Sequence, residues 1–276
     1  MEPWTLMPAV TSLILRRQTR RQWSYRELEG LLKLFPRLAE LVYEPWRDPI
    51  FVLDESVDPL TESELQLLAD IRTISKVICF KDYPASRRED SRRDRRTIRT
   101  TSRSVTAYLS LNLEHMAISS IADASIFFEE CKPEWTWERL ISLTLTSALL
   151  SPDENASEVN DMLRLAGIMA TRMPKLETME LWNAEEGLAC VFQYRAARAW
   201  DCPAKITWRS TWSLQLRDDV IEAWKPVAAR KDACRAGLEV RVEEIDGTGI
   251  RSHGEAIPHL RLETEVARPV CPEANA

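Results

Sequence analysis

The stretch Leu176–Asn183, LETMELWN, has an echo 36 positions upstream in Leu140–Ser147, LISLTLTS. Both put apolar residues at the first, fourth and sixth positions: Leu176, Met179 and Leu181 in one, Leu140, Leu143 and Leu145 in the other. This is the strand signature of leucine-rich repeats, in which each repeat is one strand and its returning segment. Four earlier stretches fit the same template: Val10, Leu13 and Leu15; Leu38, Leu41 and Tyr43; Ile74, Val77 and Cys79; Leu113, Met116 and Ile118. Successive copies start 27 to 39 residues apart, enough for a strand and a helix that crosses back to the next parallel strand. In three copies a proline (Pro8, Pro36, Pro174) stands two residues before the first apolar position. Its fixed φ and missing N–H end a preceding helix there and favour extended chain.

Helices are expected between these strands. In SYRELEGLLKLF, Ser24 and Glu27 have capping-box spacing, and Leu28, Leu31, Leu32 and Phe35 recur at helical period. Thr61 and Glu64 repeat that spacing ahead of Leu65, Leu68 and Ile71. A longer amphipathic run, about Ala156 to Arg172, carries Val159, Leu163, Ala166 and Ala170 on one face. Beyond Leu181 the alternation is that of longer strands. Cys190, Phe192 and Tyr194 share one face, as do Ile206, Trp208, Trp212, Leu214 and Leu216, with an antiparallel pairing across the turn near Asp201–Pro203. Asp218 or Asp219 caps a helix containing Val220, Ile221, Trp224 and Val227, and GLEVRVEEI and HLRLETEV supply closing strands. The expected fold is α/β: an irregular leucine-rich-repeat-like solenoid, repeats over 1–185 and a C-terminal antiparallel β cap over 186–276, in one domain.

Composition narrows the function. With 45% apolar and 29% charged residues the chain is globular in character, and a net charge of -6 argues against a surface that attracts polyanions throughout. Seven glycines against fifteen prolines leave little material for phosphate-cradling loops. The six cysteines form no C-x-x-C pair and read as reduced thiols of an intracellular protein, cytoplasmic or nuclear. The apolar run at the N-terminus is too short to span a bilayer and has its charges in the reverse of a secretory signal's order.

The segments MPAVTSLILRRQTRRQW, LFPRLAELVYEPWRD, WTWERLISLTLTSALL, RMPKLETMELWN, ACVFQYR, ITWRSTW and IRSHGEAI, in this order, resemble an uncharacterised fungal domain-of-unknown-function family, number 6546. The resemblance implies an irregular leucine-rich-repeat structure, often preceded by an F-box-like segment. No such segment stands before Met7, so docking to an Skp-type ubiquitin-ligase adaptor is not expected. It carries no catalytic residues.

The residues themselves offer three chemistries. Ser86–Arg103 holds eight arginines (87, 88, 92, 93, 95, 96, 99, 103) among three acids, and is either a phosphate-binding element or, as expected here, a solvated disordered loop over about 85–104. Ser252, His253 and Glu255 supply the ingredients of a hydrolase without the strained turn that presents a nucleophile, and read as a polar turn between strands. Three histidines and scattered cysteines give no metal-ligand spacing. No catalytic residue, cofactor or metal site is therefore expected. The tryptophans and arginines near strand ends suit protein recognition, where such side chains dominate affinity. Trp46, Arg47, Trp182 and Arg209 are the expected partner contacts, in a non-enzymatic scaffold with no membrane association.

Overall fold

A computed structural model of the chain describes residues 5–21, 23–45, 62–81, 103–198, 202–230 and 237–266. Its core is one nine-stranded sheet whose spatial order follows chain order: β1 (Ser12–Leu15), β2 (Glu40–Tyr43), β3 (Lys76–Phe80), β4 (His115–Asp123), β5 (Ser142–Thr146), β6 (Thr178–Glu185), β7 (Leu188–Arg195), β8 (Ala204–Ser210) and β9 (Leu238–Glu244). Neighbours are parallel except at β6–β7 and β7–β8, so β7 alone runs against the rest. The expected antiparallel pair is therefore present. That pair is β7 with β8; the separate β6–β7 hairpin turns at Glu186–Gly187, where Gly187 takes φ 72°, a left-handed conformation that costs glycine nothing.

All six apolar triplets lie in one register. Leu13, Leu41, Val77, Met116, Leu143 and Met179 are direct partners along β1 to β6, as are Leu15, Tyr43, Cys79, Ile118, Leu145 and Leu181. The first apolar residue of each triplet precedes its strand by two positions. At each junction one carbonyl accepts two successive N–H groups of the next strand's entry: Thr11 from Ala39 and Glu40, Ala39 from Ser75 and Lys76, Ser75 from Glu114 and His115, Glu114 from Ile141 and Ser142, Ile141 from Glu177 and Thr178. The same bond pair at every step sets the register independently of the side chains.

Period two sends alternate side chains to opposite faces. The triplet residues face helices α1 (Tyr25–Lys33), α2 (Glu62–Asp70), α3 (Arg103–Ser110), α4 (Ala124–Glu130), α5 (Ala156–Ala170) and α6 (Asp218–Ala228), with which they form the main core. Ser24 and Glu27 make the expected capping box. Helices α3 and α4 were not among the expected elements. The first begins at Arg103, inside the stretch read as a loop, and the second follows β4 without a break because Asp123, the last strand residue, is its cap and accepts from Ser125 N–H. The strand expected from Lys205 to Leu216 ends at Ser210; Trp212 leaves the sheet and packs edge-on against Trp208 at 5.2 Å.

Helices α5 and α6 meet at Gly167, where a Cβ would stand 2.9 Å from Trp224 Cδ1 and Nε1 and 3.1 Å from Ala223 Cβ. Trp224 has no room to retreat: it is fully buried, donates to Leu163 O at 3.1 Å and lies against Phe192 and Tyr194. Gly167→Ala is therefore expected to destabilise by about 1 kcal/mol or more, overpacking outweighing the helix-propensity gain of about 1 kcal/mol. A thermal melt checks the sign, since an alanine that raised Tm would mean that the helices can part.

The remaining helix, α7 (His253–Leu260), lies on the other face of the sheet. Here two expectations are corrected. RSHGEAI is not a turn between strands but the start of α7, and HLRLETEV is not a strand: His259–Leu260 closes the helix, and 261–266 form no ladder pair. With Ile250, Ala256, Leu260 and Val266, this return covers Val42, Ile78, Phe80, Ala117, Trp182 and Val191 in a second apolar cluster. Residues 261–266 form a strap bonded to the sheet through the Glu263 and Thr264 amides. Close passage over the β6–β7 hairpin requires glycine at 247, where a Cβ would lie 2.2 Å from Gly187 O.

Candidate partner-binding face

The face opposite the six helices is organised in rows, because each side chain on it has a direct neighbour on the next strand. One row crosses the whole sheet at the starts of the parallel strands and the end of β7: Ser12, Glu40, Lys76, His115, Ser142, Thr178, Arg195, Lys205 and Glu239. It is polar throughout and internally bonded. Ser12 Oγ donates to Glu40 at 3.2 Å, Lys76 pairs with Glu40 at 2.6 Å, His115 Nδ1 and Ser142 Oγ stand 2.9 Å apart, and Lys205 pairs with Glu239 at 3.5 Å. Burial works against the Lys76 charge, but its pairs with Glu40 and Glu265 prevail and hold its pKa above the ordinary value. Burial, then the Lys76 charge, pushes His115 down.

The next row runs Ile14, Val42, Ile78, Ala117, Thr144, Glu180, Gln193, Thr207 and Arg241. At its centre Glu180 is fully buried and accepts four hydrogen bonds. Oε1 receives Gln193 Nε2 at 2.7 Å and Glu263 N–H at 2.7 Å; Oε2 receives Thr144 Oγ1 at 3.2 Å and Thr264 N–H at 3.1 Å. A single side chain of the sheet thus clasps two successive amides of the strap. Ion pairs flank the clasp: Glu263 with Arg195 at 2.7 Å and Arg198 at 3.2 Å, Glu265 with Lys76 at 3.4 Å.

Between the strap and the polar row a trough of about 540 Å3 stays open. Lys76, His115, Ser142, Thr178, Arg198 and the strap's Glu263–Glu265 line it. The His115–Ser142 contact has the spacing of a base and a nucleophile. Both, however, belong to regular strands, and their own N–H groups are spent on Ser75 O and Glu114 O, so neither amide is available to stabilise the oxyanion of a carbonyl attacked by Ser142 Oγ. As built, the pair is a cross-strand hydrogen bond.

The residues expected to meet a partner fall elsewhere. Trp46 and Arg47 lie outside the described residues, as does the arginine-rich stretch up to Ser102. Trp182 is 0% exposed; it packs edge-on against His253 at 5.5 Å and presents nothing to solvent. Arg209, 6% exposed, pairs with Glu243 at 2.8 Å and donates to Leu260 O, fastening the C-terminus of α7 to β8. Ser252 is the cap of α7, accepting from Glu255 N–H at 3.3 Å, and Glu255 is held by Arg251. Both side chains thus take part in building the start of α7. The thiols of Cys131 and Cys190 are pushed up by burial, the former to about 12, so at neutral pH both stay protonated and unreactive. Among the described residues, no three His, Cys, Asp or Glu side chains are grouped to hold a metal ion, and no helix is long and apolar enough to cross a membrane.

The chain is thus an α/β protein with a mostly parallel sheet, six helices on one face, and an opposite face covered in part by α7 and the strap and otherwise polar. The sequence profile described as a family of unknown function, DUF6546, matches residues 69–268, and the chain belongs to that family. The matched span holds both halves of the clasp, Glu180 and the strap. Searches of the curated proteins and of the solved structures each found no match.

Glu180 and the strap were not singled out in the sequence, though signals for both exist. Glu180 sits between the core residues Met179 and Leu181, where alternation places a carboxyl group on the opposite face together with Thr178 and Trp182. Ser252 and Glu255 have the same spacing as the capping pair Ser24 and Glu27, which marks a helix start rather than a turn.

Proposed function

We propose that the chain is a non-enzymatic protein-binding scaffold, an irregular leucine-rich-repeat-like solenoid of an intracellular protein, akin to the substrate-recognition portion of F-box and leucine-rich-repeat proteins. Its partner is another protein, and the polar face of the sheet is where that partner binds. The observation that carries this reading is the continuous polar row. With the helices on one side and the strands in one register, side chains from Ser12 to Glu239 stand in fixed neighbouring positions on a rigid surface. Preordered side chains lose little freedom on binding, and a row of mixed charge discriminates between partners by complementarity.

The test is affinity capture from the source organism's lysate with three chains. These are the natural sequence, a His115→Asp/Thr178→Lys double variant on the open trough, and a Glu158→Lys control on the exposed side of α5. The expected result is a protein retained by the natural and control chains and depleted at least about tenfold by the trough variant, a loss of about 1.4 kcal/mol. Partners indifferent to the trough would contradict the reading. Capture of nucleic acid that weakens steeply with salt and disappears on deletion of residues 86–103 would put the function in the arginine-rich stretch instead.

A further inference from the structure

We infer that the polar face is a receptor for an extended acidic segment of a partner protein, with carboxylates at alternate residues followed by an apolar one, and that Glu263-Thr264-Glu265-Val266 is the chain's own copy of that ligand. The inference rests on the preceding reading of this face and specifies what it recognises.

The seated strap defines the chemistry. Glu180 takes the Glu263 and Thr264 N–H groups, a requirement met by any extended backbone without proline at those places. Sequence enters through the side chains. Arg195 and Arg198 hold the first carboxylate and Lys76 the second, so cations stand at both ends of the seat while the uncharged Ser142 and Thr178 lie between. Val266, 1% exposed, fills the apolar cluster beyond the second carboxylate. Basic residues at the first and third positions would bring like charges together on a half-buried surface, which excludes them more strongly than any contact selects for acids. Beside the strap, His115, Ser142 and Thr178 of the same row line the trough of about 540 Å3, so an incoming segment has a place to land before the strap leaves. Because the strap occupies the seat, a partner's apparent affinity is reduced by the fraction of chains with the seat vacant.

The experiment uses the full chain and a fluorescent peptide of sequence RLETEVARP, that of residues 261–269. In a Glu263→Lys/Glu265→Lys chain the reversed charges face Arg195, Arg198 and Lys76, and the strap is expelled from its seat. This chain is expected to bind the peptide at least about tenfold more tightly than the natural sequence does, as removal of a competitor requires. Adding Glu180→Gln should cancel that gain, and the peptide RLKTKVARP should not compete. A folded strap-reversed chain that binds no better than the natural one, or that takes the lysine peptide equally well, overturns the inference. If charge reversal abolishes the cooperative thermal transition, the Glu263→Gln/Glu265→Gln chain replaces it with the same two outcomes. Failure of the peptide alongside trough-dependent capture defeats only the acidic-segment inference; peptide binding alongside trough-independent capture defeats the wider reading.

Discussion

Trp224→Ala is expected to lower stability by about 3–5 kcal/mol, the cost of emptying a fully buried indole site. Trp224 is the largest side chain shared by α5, α6, β7 and the sheet core. Its ring contacts Phe192 and Tyr194 at centroid separations of 5.4 and 4.7 Å, and Gly167 is small because the ring is there. Collapse into the space is opposed by the sheet on one side and the α5 backbone on the other, which places the expected cost in the upper part of the range. For a chain of this size each kcal/mol moves Tm by roughly 2–4 °C, so a melt resolves the effect easily. Trp224→Phe keeps most of the volume and loses the bond to Leu163 O, and should cost much less. An alanine variant within 2 °C of the natural Tm, roughly the shift from half a kcal/mol to one, would mean that α6 does not close the core in the way described.

Glu180 comes next, and its two substitutions separate shape from bonding. Glutamine has the same size but one acceptor oxygen. Placed with that oxygen toward Gln193 and Glu263, its amide NH2 meets Thr144 and Thr264. The Thr144 hydroxyl can rotate to accept, whereas the Thr264 N–H cannot. One buried donor is left without a partner, an expected loss of about 1–3 kcal/mol. Alanine orphans all four donors and should cost about 3–5 kcal/mol, among the larger values for single substitutions, with the strap released. Chemical denaturation of both variants checks the order. Equal effects would make Glu180 a space-filler rather than a clasp.

The helix-facing side of the sheet was legible in the sequence because it is written in the plainest code a chain has. A residue such as Leu143 or Met179 must be apolar to sit between strand and helix, and the requirement recurs at every step, so the register of six strands follows from spacing alone. The opposite face was not legible, for a physical reason. Alternation reports which side chains meet an apolar surface, not whether the backbone joins a ladder. Leu260, Leu262 and Val266 satisfy it by lying across a sheet, which looks in sequence the same as pairing along one. Pro258 and Gly254 further disguised α7, although the cap at Ser252 was available to find it. Trp182 and Arg209 were read as partner contacts from residue type and position near strand ends. Type cannot say which face is covered by a helix 51 to 71 residues further along the chain, and both prove to be fastenings for α7. Glu180 is the same problem inverted, a charged residue type that ordinarily means solvent and here sits among four donors at 0% exposure.

The clasp carries the account of this face, and amide hydrogen exchange at Glu263 and Thr264 tests it most directly. In the natural chain both amides should exchange at least about 100-fold more slowly than in an unstructured peptide; in Glu180→Ala they should exchange at nearly unstructured rates while those of Ser142 and Thr178, bonded within the sheet, remain slow. Unprotected amides at Glu263 and Thr264 in the natural chain would contradict the account, because no strap would then be seated on the sheet.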